Sequence, residues 1–408
     1  MLFAASSGAL PPRTLPIAVG ALTVTQVVGW GTTFHIPAVL SSRLSAGTGL
    51  SKEIVFGGIT LMLLVAAALS PAVGRVLDRD GCRRWMVAGS ALVALGLVTL
   101  ALAEGPVVFG AAWVIFGAAM PLALNQASST ALVQISPGRA RRAIALLLLL
   151  TGLSSTIAWP FLIWLDGLVG WRHTLLILAA VNVLVCAPLH LACLPSGRVL
   201  VEPALPPSRP SDQDPTDRRP IPGAYGLAAV AFSLGGMLTW GLPLHMIGIL
   251  QGFGHSETTA VSIGALVGPG QVLARAFEML GGERYGILAI GVGSGVLMIL
   301  ALGALLLWGA LPVGAVIFSI GYGLSGGLMS IVRAVAPLRL FGAATYATMI
   351  GRLGVWQNAA FAAAPLGFAL VLERFGSAVL VWMALAVGLA CLVALAMLAR
   401  RAAAVQAG

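Results

Sequence analysis

Two histidines stand in apolar surroundings that repeat 210 residues apart, and their type suits proton chemistry. His35 lies in GWGTTFHIPAVL (29–40), and His245 lies in TWGLPLHMIGIL (239–250); in each stretch a Trp-Gly pair and three further residues precede the histidine. Histidine is the side chain that changes charge nearest neutral pH. The pattern therefore predicts a proton-titrating or gating pair, or two neutral histidines bonded to the backbone or to each other. The repeat itself favours neither reading, because a duplicated packing residue would be retained as readily as a duplicated functional one.

Two arginines inside apolar segments, Arg275 and Arg352, are candidates for binding an anion. A guanidinium group suits bidentate recognition of a carboxylate or phosphonate. Glu278 follows Arg275 by three residues and can instead neutralise it on one helix face. Arg352 can pair with a loop carboxylate, or its long side chain can reach the membrane surface and place the guanidinium group in water. Arg333 is expected at the rim of an inner gate.

Other polar and aromatic side chains in apolar segments are weaker candidates for contact with a substrate. Their amides can bond a substrate or join helices, and their rings can line a cavity or mark the membrane interface. The set comprises Asn125, Gln126, Gln357, Trp240 and Tyr322. No HExxH motif, paired intramembrane aspartates or phosphate-cradling loop occurs, so we predict no catalytic residues, no metal site, no cofactor and no enzyme activity.

The composition is that of a membrane protein. Of 408 residues, 59% are hydrophobic and only 9% are charged, with a mean hydropathy of +1.00, whereas soluble domains carry about 25% charged residues. The net charge of +10 comes almost entirely from arginine. In such a chain it indicates the cytoplasmic face of a bilayer, with no nucleic-acid partner.

A spanning helix needs about 20 apolar residues, and the charged and Pro/Gly-rich points leave twelve such segments. The pattern predicts an all-α membrane protein whose twelve transmembrane helices form two pseudo-twofold-related six-helix bundles, 1–194 and 223–408, joined by a cytoplasmic linker, 195–222. We expect the first helix to be retained. The segments are 17–42, 53–74, 85–103, 106–133, 143–165, 173–194, 223–250, 257–280, 286–308, 311–332, 345–371 and 376–399.

Arginine placement predicts the orientation. Basic residues concentrate in alternate loops, in the linker and at the C-terminal end, so both termini and the linker are expected on the cytoplasmic side of the membrane. The residues concerned are Arg75, Arg79, Arg83, Arg84, Arg139, Arg141, Arg142, Arg198, Arg209, Arg218, Arg219, Arg400 and Arg401.

The loop after the second segment carries a motif, GRVLDRDGCRR (74–84). It resembles the signature loop of the major facilitator superfamily, roughly G-x-L-A-D-R-x-G-R-R. The matching positions are Gly74, Asp78, Arg79, Gly81, Arg83 and Arg84. Glycine permits close helix packing and a tight turn, and Asp78 can cap a helix or pair with an arginine. The resemblance implies a gating loop that clamps the cytoplasmic side in one state and releases it in the other.

Further stretches, including GPGQVLARAFE (268–278), resemble a bacterial group of facilitators that includes arsenite-efflux members. That group often has an acidic residue in its fourth helix, where this chain has Asn125 and Gln126, so the arsenite substrate is not carried over. We predict a secondary transporter that exports a small toxic or secreted compound. A carrier of small organic anions, such as monocarboxylates or oxalate, is the alternative. The expected partners are a small-molecule substrate, the lipid bilayer and protons, and we expect a monomer.

The mid-membrane parts of the first six segments contain no Asp or Glu. Proton coupling would therefore run through histidine, Glu278 or the substrate itself, and uniport and anion exchange stay open. A non-transporting sensor with this fold would be expected to carry a sizeable soluble output region, and the linker 195–222 is too short for one.

Overall fold

The computed structural model describes residues 13–197, 221–281 and 284–407. These residues fold into helices and connecting turns, and ten helical segments among them are long and apolar enough to cross a membrane. The chain is therefore a multi-pass membrane protein. Most of the predicted linker 195–222, with its four arginines Arg198, Arg209, Arg218 and Arg219, lies outside the described residues.

The chain divides into two compact units. Unit 1 comprises residues 1–218 and 341–355, and unit 2 comprises residues 219–340 and 356–408. The first nine α-helices belong to unit 1: α1 (Thr14–Gly31), α2 (Ile36–Thr48), α3 (Lys52–Asp80), α4 (Arg83–Ala101), α5 (Pro106–Ala123), α6 (Asn125–Ile135), α7 (Ala140–Thr151), α8 (Ser154–Val181) and α9 (Ala187–Cys193), with a π-helical turn Asn182–Cys186 before α9. The remainder are α10 (Ala224–Gly252), α11 (Glu257–Gly264), α12 (Val267–Gly281), α13 (Ile287–Trp308), α14 (Pro312–Phe341) and α15 (Tyr346–Ala407).

Each unit has its own buried core. In unit 1, α3, α4 and α5 enclose the fully buried rings of Trp113 and Phe116 and the side chain of Met62. In unit 2, Phe318 of α14 and Phe368 of α15 are buried equally completely. Because lipid is as apolar as these side chains, close packing rather than exclusion from water holds such cores together.

The first predicted segment, 17–42, is not one continuous helix. Helix α1 ends at Gly31, residues 32–35 form turns, and α2 begins at Ile36 with Pro37 in its first turn. Proline suits the start of a helix and interrupts its interior. The hydroxyl of Thr33 donates to the carbonyl of Gly29 at 2.7 Å, which satisfies a carbonyl that the break leaves free.

Two glycines interrupt the longest helical runs. Gly170 within α8 has φ 77° and ψ 161°, and Gly376 within α15 has φ 81° and ψ 175°. This backbone region is accessible essentially only to glycine. Each glycine therefore kinks a run of helix at a fixed residue.

Candidate functional site

The carboxylate of Asp78 caps the start of α15 within unit 1. Its two oxygens accept hydrogen bonds from the backbone N–H groups of Ala347, at 3.1 Å, and Thr348, at 2.7 Å. These are the second and third residues of α15, whose N–H groups have no partner inside the helix. A negative charge there also interacts favourably with the helix dipole. A side chain 269 residues earlier in the chain thus holds the first turn of α15.

Small residues let α3 approach this first turn of α15 closely. A Cβ added to Gly74 would meet the carbonyl of Ala347 and lie 3.0 Å from the Cα of Thr348. One added to Gly351 would meet the backbone of Ser70. Contacts between small residues four positions apart are a common way for membrane helices to pack. Substituting either glycine with a bulkier residue would force the two helices apart.

Helix α6 also supports this contact. The Gln126 side chain donates to the carbonyl of Ser70 at 3.0 Å, and the Tyr346 hydroxyl, fully buried, hydrogen-bonds with Ser129. In this arrangement Gln126 joins α6 to α3. We call the set Ser70, Gly74, Asp78, Tyr346, Ala347, Thr348 and Gly351 the α3–α15 contact.

The arginines of the loop are organised by a different carboxylate. Asp80 accepts hydrogen bonds from Arg79 at 3.0 Å and pairs with Arg84. Both arginines are largely exposed. Gly81 makes the turn with φ 80°, while Arg83 is half-buried. The neighbouring Cys82 is buried, which raises the pKa of its thiol and keeps it neutral.

The two repeated histidines have different local structures. His35 ends the turn between α1 and α2, where its ring lies edge-on to Phe34 and to Trp159, with centroids 6.1 and 6.3 Å away. His245 lies inside the continuous helix α10, and its Nε2–H donates to the carbonyl of Pro365 at 2.9 Å. Both histidines are half-buried. The sequence repeat is thus not matched by a repeat of side-chain contacts.

Arg275 lies where α12 and α14 approach closely in unit 2. A Cβ on Gly327 would lie 2.8 Å from the Cβ of Ala274, so the small residues bring the backbones together. This approach places the Arg275 Nε 3.3 Å from the Ser330 hydroxyl, to which it donates. Glu278, one turn further along α12, is 1% exposed. A half-buried basic group and a buried acidic group therefore share this helix.

Three helices of unit 2 bring a second arginine against aromatic rings. Trp240 of α10 stacks on Phe361 of α15, with centroids 5.6 Å apart and an interplanar angle of 23°. The guanidinium carbon of Arg333, on α14, lies 5.3 Å from the centroid of the Phe361 ring. Tyr322, fully buried, donates to the carbonyls of Leu238 and Thr239 and so fixes α14 to α10.

The remaining predicted residues lie at more open positions. Arg352 is exposed on the part of α15 that belongs to unit 1. Gln357 is half-buried on the part that belongs to unit 2, and Asn125 is exposed at the start of α6. Arg275 and Arg352 thus belong to different units.

Comparison with known proteins decides the family. A sequence model described as Major Facilitator Superfamily matches residues 21–347.

The chain belongs to the major facilitator superfamily.

The members of this superfamily are transporters and not enzymes. The crystal structure of the human organic anion transporter MFSD10 (TETRAN) has a similar fold. Its TM-score is 0.69 and its identity 17%, over 95% of this chain and 100% of that one. An uncharacterized 38 kDa protein in the 23S RNA operon of Thermoproteus tenax is 29% identical over 182 residues, 45% of this chain. That match covers 47% of the length of the Thermoproteus protein, about half.

The position of Arg333 at the rim of an inner gate stays a prediction. Sequence reasoning overlooked one buried polar residue of this facilitator. His190, 1% exposed, lies between the hydroxyls of Ser90 and Thr25, at 3.1 and 3.0 Å. The signal for His190 was a lone histidine in an apolar helix, but its partners lie 100 and 165 residues away.

Proposed function

We propose that this facilitator moves a small solute by alternating access, and that the α3–α15 contact closes its cytoplasmic side. The observation that carries the proposal is the pair of hydrogen bonds from Ala347 and Thr348 to Asp78. Helix α15 belongs to unit 1 up to residue 355 and to unit 2 from Trp356 onward. A continuous helix therefore carries any displacement of its later part to the bonds at its first turn, which break when the cytoplasmic side opens.

The proposed architecture has twelve membrane crossings in two pseudo-twofold-related bundles, 1–194 and 223–408. Two of the ten apolar segments, Pro137–Cys193 and Tyr346–Val405, are 57 and 60 residues long, far more than the roughly 20 that one crossing needs. Each contains a kinking glycine, Gly170 or Gly376. Counting each as two crossings supports twelve.

The distribution of arginine supports an orientation with both termini and the linker 195–222 on the cytoplasmic side. The resemblance to bacterial facilitators supports a bacterial inner membrane. The gating motif would then face the cytoplasm, where Arg75, Arg79 and Arg84 are exposed. We propose that the protein works as a monomer. Proton coupling, through His35 or His245, is the proposed energy source, with uniport and exchange as the other modes.

The proposed cargo is a small toxic or secreted compound, moved outward, in line with the resemblance to arsenite-efflux facilitators. A small organic anion is the second candidate, and the position of Arg275 inside unit 2 favours it. The matched human structure is named an organic anion transporter, which agrees with this second candidate. In that case Arg275 and Arg352 would each contribute to anion binding.

The test is a melting experiment on the purified protein with a ligand panel, followed by flux measurements in proteoliposomes. The panel holds small carboxylates, phosphonates, arsenite, lipophilic cations and neutral drugs. A ligand that binds only the folded state stabilises it by about 2.7 kcal/mol at a hundredfold excess over its Kd. Stabilisation by anions that is lost in Arg275→Ala and Arg352→Ala supports the anion carrier, whereas stabilisation by arsenite or drugs alone supports the exporter. Absence of flux for every stabilising ligand would contradict transport.

A further inference from the structure

Arg333 has a buried donor that nothing in the described part of the chain accepts. Its Nη1 atom is buried and lacks a hydrogen-bond partner, and it forms no ion pair with a described carboxylate. Its guanidinium carbon lies over the Phe361 ring, 5.3 Å from the centroid. The ring attracts the cation but accepts no conventional hydrogen bond from Nη1, which still needs an acceptor.

Such a group is costly to retain in a membrane helix. Arg333 is half-buried, and burying one of its N–H groups without a hydrogen-bond partner carries a desolvation penalty. Buried polar groups in folded proteins nearly always have a partner, and an exception calls for a ligand, an ion or water. The unpartnered Nη1 of Arg333 therefore indicates an acceptor that the described residues do not supply.

A second unsatisfied donor lies on the helix beside Arg333. The hydroxyl of Ser233, on α10, is also buried without a hydrogen-bond partner. It lies one turn before Gly236, and a Cβ on Gly236 would be 2.6 Å from Nη1 of Arg333. Trp240 follows Gly236 by four residues, so these three positions share one face of α10. One face thus presents a hydroxyl, the arginine edge and a stacked aromatic pair.

The charge near this face is positive. Arg275 donates to Ser330, which precedes Arg333 by one turn of α14, and the charges of the two arginines oppose each other. Glu278 is the buried carboxylate on α12. Two neighbouring arginines favour a ligand that carries negative charge.

We propose that unit 2 binds an aromatic monocarboxylate, with its carboxylate on the Nη edge of Arg333 and the Ser233 hydroxyl. Its ring lies against Trp240 and Phe361. This assignment rests on the proposed transport function and specifies its substrate class. A carboxylate is an acceptor only, so it satisfies both unpartnered donors, and its pairing with arginine can be bidentate.

The test measures binding of benzoate to the purified full-length protein by titration calorimetry. Benzamide, which has the same shape without the charge, serves as the ligand control. Arg333→Gln should weaken benzoate binding about tenfold to a hundredfold, because it removes a charge-assisted pair. Phe361→Leu should weaken benzoate more than it weakens acetate. Arg374→Gln removes an exposed arginine of the same unit and should leave binding unchanged.

Wild-type benzoate binding that survives Arg333→Gln would overturn the assignment. So would equal affinity for benzoate and benzamide. If Arg333→Gln does not fold, Arg333→Lys can be used instead. This variant keeps the positive charge but loses the paired N–H donors of the guanidinium group, so its affinity for benzoate should fall about tenfold. Wild-type affinity in that variant would also overturn the assignment. Flux of another solute that is unaffected by Arg333→Gln would leave transport standing while this site fails, so the two failures can be told apart.

Discussion

Replacing Asp78 with asparagine should open the α3–α15 contact. Asparagine keeps one acceptor oxygen but loses the charge and one of the two bonds to Ala347 and Thr348. A hydrogen bond to a charged group contributes about 1.5–3 kcal/mol, and a charge at a helix terminus about 0.3–1 kcal/mol. Because part of this is retained, we expect the closed arrangement to lose about 1–2 kcal/mol, a factor of about 5–30 in its equilibrium with the open arrangement.

The assay is the alkylation rate of a thiol introduced as Ser70→Cys, with the four native cysteines replaced. Ser70 is 2% exposed and lies against Gly351 in the contact. A membrane-impermeant maleimide should therefore react slowly in the parent protein and about 5–30 times faster after Asp78→Asn, since opening exposes the thiol.

The matched control is Asp80→Asn, which removes the same charge two residues away. Asp80 bonds to Arg79, Arg84 and Trp85, all in its own loop and the helix that follows. Its loss should leave the alkylation rate within about twofold, in keeping with the small contribution of exposed ion pairs. An unchanged rate in Asp78→Asn, or an equal increase in both variants, would refute the assignment of Asp78 to the closing contact.

Three further outcomes are expected. Gly74→Leu should raise the alkylation rate as Asp78→Asn does, because its side chain meets the Ala347 backbone; a rate equal to the parent would mean that the helices adapt. Tyr322→Phe should lower the free energy of unfolding by about 0.5–1.5 kcal/mol, because one hydroxyl donor is lost. A denaturant titration in detergent would measure this change. An unchanged free energy of unfolding would mean that Tyr322 stabilises the protein through its ring and not through its hydroxyl. His35→Phe and His245→Phe should each fold and shift the pH dependence of proteoliposome flux, and an unchanged profile in both would make them packing residues.

The sequence predicts the membrane class and the family because both depend on local signals. Hydropathy identifies apolar segments one at a time, and the motif from Gly74 to Arg84 is contiguous. The capping role of Asp78 is predictable as a residue type. Its partners are not, since the helix it caps begins 268 residues later.

The sequence does not reveal where apolar helices break or which side chains they bring together. The turn before His35 interrupts a segment that was predicted as one helix, and no comparable break occurs before His245. Similar short stretches can thus adopt different backbones when their packing partners differ. Arg333 and Phe361 illustrate the second gap, because periodicity shows the apolar face of a helix but not which ring an arginine on it will cover.

The two kinking glycines, like the two histidines, are separated by about half the length of the chain. Gly170 and Gly376 share one backbone conformation 206 residues apart, close to the spacing of the repeated Trp-Gly stretches. After a gene duplication a side-chain role can drift, because several residue types fill similar space. At a position whose backbone angles only glycine tolerates, no other residue type can replace it without strain. Duplication of a half-length protein that already carried this glycine would account for the shared backbone conformation of Gly170 and Gly376.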